Sequence, residues 1–138
     1  MDWIKDKLSR GGDWTLYCDL DVVDTRHVSD LFVGFRPDLA IVNSNKVLIC
    51  ELTVCHETNL ESSHAYKINK YSNIASAKSC LIRNHLVKVC TMEVTTMGFV
   101  SLDPVFFKES ALPKLNKPAL ENITKSAILS SHTIYINR

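Results

Sequence analysis

RPDLAIVNSNKVLICELTVCHETNLESSHAYKINKY, residues Arg36 to Tyr71, decides the fold. Asp38-Leu-Ala-Ile-Val42 and Val47-Leu-Ile-Cys-Glu-Leu-Thr-Val54 are rich in β-branched and aliphatic residues, and Asn43-Ser-Asn-Lys46 between them consists of turn formers. The pattern is that of a β-hairpin. With Ser44 and Asn45 as a two-residue loop, the register pairs 42 with 47, 41 with 48 and 40 with 49, and Asp38 then faces Glu51. Asp38, Ala40 and Val42 share a face with Val47, Ile49 and Glu51, and Thr53 continues it, so the hairpin's two acids cap an apolar face at its open end.

Directly opposed residues have Cβ atoms roughly 4.5–5.5 Å apart, and like charges at that separation destabilise a sheet. A hard divalent cation taking oxygen ligands would remove the repulsion. From register alone, a cation-binding pair and two solvated strand-end acids both remain open.

Arg36-Pro37-Asp38, then Glu51 with one residue before Thr53, resembles the PD-(D/E)XK signature of restriction-type nucleases, with threonine in the lysine position. The wider set Arg36-Pro37-Asp38, Glu51-Leu52-Thr53-Val54, Glu57, Asn59, Ala65, Lys67, Lys70 and Tyr71 resembles the restriction-like endonuclease domain of non-LTR retrotransposon reverse-transcriptase proteins. The resemblance is good from Arg36 to Tyr71 and weaker in the C-terminal helix. It implies an α/β, restriction-endonuclease-like fold: a central mixed sheet flanked by helices. It also implies Mg²⁺ or Mn²⁺ held by Asp38, Glu51 and the Leu52 carbonyl, a DNA substrate, and either a larger reverse-transcriptase polypeptide or a homodimer as context. Thr53 can orient water but supplies no charge. The cation is therefore expected from the following helix, with Lys67 first, Lys70 second, His64 for the attacking water and Tyr71 beside them.

The 138 residues, 46% hydrophobic and 22% charged, fit one domain spanning 1–138 with its core at about 14–100. Sixteen basic against fifteen acidic residues leave a net charge of +1, which argues against a protein that merely coats DNA. With no apolar run near 18 residues and no signal-peptide pattern at the start, the expected location is intracellular, and a DNA substrate makes it nuclear, with no membrane partner. Cysteines 18, 50, 55, 80 and 90 form no CxxC, so reduced thiols are expected. Cys55-His56 and His64 match neither zinc-finger nor protease spacing.

Outside the hairpin, Asp2 to Ser9 reads as a short helix, Trp14 to Leu20 as a strand, and His27 to Phe32 as a helical turn. One of Asp19, Asp21 and Asp24 is a candidate supplementary metal ligand. Thr58 and Asn59 can cap a helix from Leu60 to about Arg83, with Leu60, Ala65, Ile68, Ile74, Ala75, Leu81 and Ile82 as its apolar stripe. His64, Lys67 and Tyr71 flank that stripe at i, i+3 and i+7, on an edge that turns toward the acids when the helix packs on the sheet. Lys78 lies farther along the same edge. Leu86 to Met92 reads as a strand parallel to the second hairpin strand, Phe106-Phe107 as core, and Pro118 as the first turn of a helix over 119–131.

Three functions compete: a metal-dependent endonuclease nicking or cutting DNA for mobile-element insertion, a catalytically inactive nuclease-fold module that binds nucleic acid, and a protein-interaction domain of the same fold.

Overall fold

A computed structural model describes residues 14–18, 26–103, 108 and 117–136. Strands β1 (Thr15–Cys18), β2 (Leu39–Val42), β3 (Lys46–Cys55), β4 (Leu86–Thr95) and β5 (Val100–Leu102) make one five-stranded sheet in chain order. β3 and β4 are parallel and the other neighbouring pairs are antiparallel. Helix α1 (Leu60–Lys70) lies in the β3–β4 crossover, and helix α2 (Lys117–Ile136) follows the sheet. The class is mixed α/β, with helices flanking a mixed sheet.

The hairpin forms because Asn43 builds its own turn. Its side-chain oxygen accepts the backbone N–H groups of Asn45 at 3.0 Å and Lys46 at 2.8 Å, the local bonding that favours asparagine in turns. Val42 pairs with Val47, Ile41 with Leu48 and Ala40 with Ile49, the register expected from the turn. Period-two alternation then separates two apolar layers. One face carries Tyr17, Ala40, Val47 and Ile49 and is covered by Val28, Leu31, Phe32, Tyr71, Ile74 and Ile82. The other carries Leu16, Ile41, Leu48 and Cys90. His27 to Phe32 includes a 3-10 turn at Val28–Asp30, and Gly34 bends the chain at φ +79° before the hairpin.

Two expectations for the crossover are overturned. The helix stops at Lys70 rather than near Arg83, and 3-10 turns follow at Ile74–Ala77 and Cys80–Ile82. Serines end it. Ser72 Oγ donates to Asn69 O at 2.8 Å and Ser76 Oγ to Asn73 O at 2.7 Å, while backbone bonds tighten to i+3 spacing, so side chains compete for carbonyls that a continuing helix would use. Asn59 holds the N-cap position without a side-chain cap bond, and Thr58 belongs to the preceding 3-10 turn, where His56 Nδ1 accepts its N–H.

Of the expected apolar stripe only Ile74 and Ile82, both beyond α1, reach the core. No residue of α1 is buried, and Ile68 and Leu81 remain 38% and 63% exposed. The polar edge takes the inward position because the sheet beneath it holds Glu51 and Glu93, both fully buried. Burying one isoleucine is worth about 1.5–3 kcal/mol. A buried carboxylate without a partner costs several kcal/mol, so two of them outweigh the stripe.

β4 runs three residues past its expected end at Met92, and α2 extends beyond 119–131 at both ends. α2 meets the turn between β4 and β5, where Thr124 Oγ1 donates to Gly98 O at 3.1 Å. The expected Asp2–Ser9 helix, the acids Asp19, Asp21 and Asp24, and Phe106-Phe107 lie outside the described residues. Among the described residues no helix is long and apolar enough to cross a membrane.

Candidate functional site

Asp38 and Glu51 meet at the mouth of the hairpin, one step beyond the Leu39–Cys50 pair that ends the β2–β3 ladder. They are joined through each other's backbone neighbourhood. Asp38 N–H donates to Glu51 Oε1 at 3.0 Å, and Leu52 N–H donates to Asp38 Oδ2 at 2.8 Å. Glu51 is buried to 1% exposure, whereas Asp38 is open to solvent.

The crossover helix brings a cation and a phenol to Glu51. Lys67 Nζ lies 2.5 Å from Glu51 Oε2, and Tyr71 Oη donates to Glu51 Oε1 at 2.7 Å. Residues 67 and 71 are one turn apart, so both reach one carboxylate from a single helix edge. Burial by itself would push the Lys67 ammonium down. The hydrogen bond and charge of Glu51, with Asp38 behind it, outweigh that effect and hold Lys67 above the usual lysine value. Tyr71 is pushed well above its ordinary value by burial and by the Glu51 carboxylate, so it acts as a hydrogen-bond donor and not as a base.

The helix edge places the other expected residues apart. His64 Nδ1 reaches Thr91 Oγ1 at 2.7 Å and Glu93 Oε1 at 3.3 Å, one strand over from Glu51. Lys70 turns away, its ammonium 5.2 Å from the centre of the Tyr71 ring. Lys78 is off the helix altogether, contrary to expectation. It pairs in an isolated bridge with Phe32 and donates to His85 O at 2.6 Å, the helix having ended eight residues earlier at Lys70. Glu57 lies beyond the end of β3, where its Oε1 accepts Met97 N–H at 2.8 Å. A hydrogen bond with Thr95 leads the effects that hold its carboxyl below the usual range.

Glu93 is the residue that the sequence reading missed. It faces Thr53 across the parallel β3–β4 pair and shares the inner face with Thr91. Running β4 one residue beyond Met92 would have exposed the signal, since Val87, Val89, Thr91 and Glu93 alternate inward. None of the five cysteines is in a disulfide, and burial pushes Cys50 up to about 12.

The donors fit a hard divalent cation by their chemistry, all of them oxygen. In a strand the N–H and C=O of one residue point to the same edge. Leu52 N–H aims at Asp38, so the Leu52 carbonyl points there too, beyond the last β2 pair. Thr53 Oγ1, one residue on, is buried without a hydrogen-bond partner. Glu51 is the constrained member, because a cation on Oε2 has to displace Lys67 Nζ. Among the described residues no three His, Cys, Asp or Glu side chains converge as a metal-binding group, so any such ion would rest on two acids and a carbonyl. The chain matches no protein-family model and no curated protein.

Proposed function

We propose that the chain is a Mg²⁺- or Mn²⁺-dependent endonuclease that hydrolyses DNA phosphodiester bonds. The observation that carries this reading is the convergence of Asp38 and Glu51 from two strands with Lys67 from the crossover helix. Asp38, Glu51 and the Leu52 carbonyl would hold the ion, which when bound lowers the pKa of a water and neutralises charge on the phosphate. Lys67, released from Glu51 Oε2 as the ion binds, would place its ammonium against the phosphate where negative charge develops. Tyr71 holds Glu51 through Oε1, leaving Oε2 as the oxygen that the ion would take. Thr53 offers its unpartnered hydroxyl to orient water. The resemblance to retrotransposon endonuclease domains supports a role in nicking or cutting DNA for mobile-element insertion, in the nucleus, within a larger reverse-transcriptase polypeptide or a homodimer.

The reading of a binding module without hydrolysis is favoured by one observation: Glu51 is already satisfied by three donors. Calorimetric titration with Mn²⁺ separates the two. The nuclease reading expects heat of binding in the wild type, loss of it in Asp38→Asn, and tighter binding in Lys67→Ala, where no ammonium has to be displaced. No binding to any of the three proteins would leave the inactive module as the better account.

A further inference from the structure

Asn59, Ser62, Ser63, Tyr66 and Lys67 recur at i, i+3, i+4, i+7 and i+8, the spacing at which a helix laid on a sheet ordinarily carries its apolar stripe. Here the stripe consists of amide, hydroxyl, aromatic and ammonium groups, and with Thr53 of β3 it lines an open pocket of about 490 Å³. Pockets for small ligands span about 300–1,000 Å³, so the space suits one nucleotide unit. Tyr66 is 66% exposed. Thr53 Oγ1 is buried without a hydrogen-bond partner, and Lys67 connects the pocket to Glu51. A helix face with this spacing and no apolar side chain buries little by itself, whereas a ligand with a flat ring, hydroxyls and a phosphate would engage each group.

We propose that this pocket is a nucleotide subsite in which a base of single-stranded DNA stacks on Tyr66 and the adjoining phosphate contacts Lys67. Asn59, Ser62 and Ser63 then hydrogen-bond sugar and base edges, and the Thr53 hydroxyl gains a partner. A base inside a duplex is stacked on both faces and cannot present one to Tyr66, so the site selects unpaired or extruded nucleotides. The choice of DNA rests on the nuclease reading.

The test is fluorescence anisotropy of the full chain with a short labelled single-stranded oligodeoxynucleotide, and with a duplex of the same length, in EDTA. Base–aromatic stacking is worth about 1–3 kcal/mol per base, so Tyr66→Ala should weaken single-strand binding about 5- to 140-fold. Tyr66→Phe, which keeps the ring, should bind like the wild type, as should Leu86→Ala at the far end of β4, and duplex binding should not respond to Tyr66. Tyr66 is largely exposed, so its removal leaves the fold intact. Unchanged single-strand binding in Tyr66→Ala, equal loss in Tyr66→Phe, or no single-strand binding by the wild type overturns the subsite. A wild type that binds through Tyr66 yet leaves DNA uncut with Mn²⁺ sustains the subsite and sinks hydrolysis. One that cuts DNA indifferently to Tyr66 sinks the subsite alone.

Discussion

At the scale of single residues, Glu51 is the centre of the molecule's chemistry and of its vulnerability. It is a buried carboxylate held by a backbone N–H, a phenol and an ammonium. Removing one partner of a buried ion pair costs about 3–5 kcal/mol, and Lys67 keeps 18% side-chain exposure, so Lys67→Ala should destabilise the metal-free protein at or below the low end of that range. Urea unfolding measures this directly. A midpoint equal to the wild type would mean that the pair contributes nothing. The pH dependence follows from the direction of the Lys67 shift. Its folded value lies above the unfolded one of about 10.4, so the contribution is complete below that pH and is lost as pH rises through the folded value. The gap in melting temperature between wild type and Lys67→Ala should therefore stay level from neutrality into mild alkali and narrow only beyond the ordinary lysine value. For Tyr71→Phe, which removes one hydrogen bond to a charged group, the expected loss is about 1.5–3 kcal/mol, read from the same unfolding curves.

At the scale of elements, much of the hairpin was legible because two local signals agree. Alternation fixes which residues share a face, and Asn43 fixes the turn, so the Ala40–Ile49 register and the meeting of Asp38 with Glu51 follow from nearby sequence. The crossover was less legible. Leu60, Ile68 and Ile74 satisfy a helical period, yet which face of a helix turns inward depends on what the sheet offers, and here it offers Glu51 and Glu93. That is a tertiary fact absent from the periodicity of residues 60–83. Past Lys70 the serine hydroxyls of residues 72 and 76 bond the Asn69 and Asn73 carbonyls, local competition of a kind that helix propensity does not register. The seat of α2 gives an element-scale prediction. Gly98 has φ +93°, and a Cβ there would come within 2.5 Å of Thr124 Cγ2. Left-handed backbone costs a non-glycine residue roughly 1–2 kcal/mol, so Gly98→Ala should destabilise by at least that amount. Adding Thr124→Ala relieves the closest clash but also removes the Thr124–Gly98 hydrogen bond, so it should recover at most part of the loss. Full recovery in the double variant would show that the backbone conformation was never the constraint.

At the scale of the whole molecule, a net charge of +1 limits what the chain can do to DNA alone. Each phosphate neutralised on duplex DNA contributes about 0.9 to the slope of log K against log salt, so a shallow slope and weak duplex affinity are expected for the isolated chain. Tight duplex binding at physiological salt would contradict the view that a larger polypeptide or a second copy supplies target affinity. The central claim is that the hairpin acids and Lys67 form a metal-dependent hydrolytic site, and it is tested most directly on supercoiled plasmid. Wild type with Mn²⁺ should convert it to nicked or linear DNA, whereas wild type with EDTA, Asp38→Asn with Mn²⁺ and Lys67→Ala with Mn²⁺ should leave it supercoiled. Conversion that survives Asp38→Asn, or no conversion by the wild type at any Mn²⁺ concentration, would contradict the account.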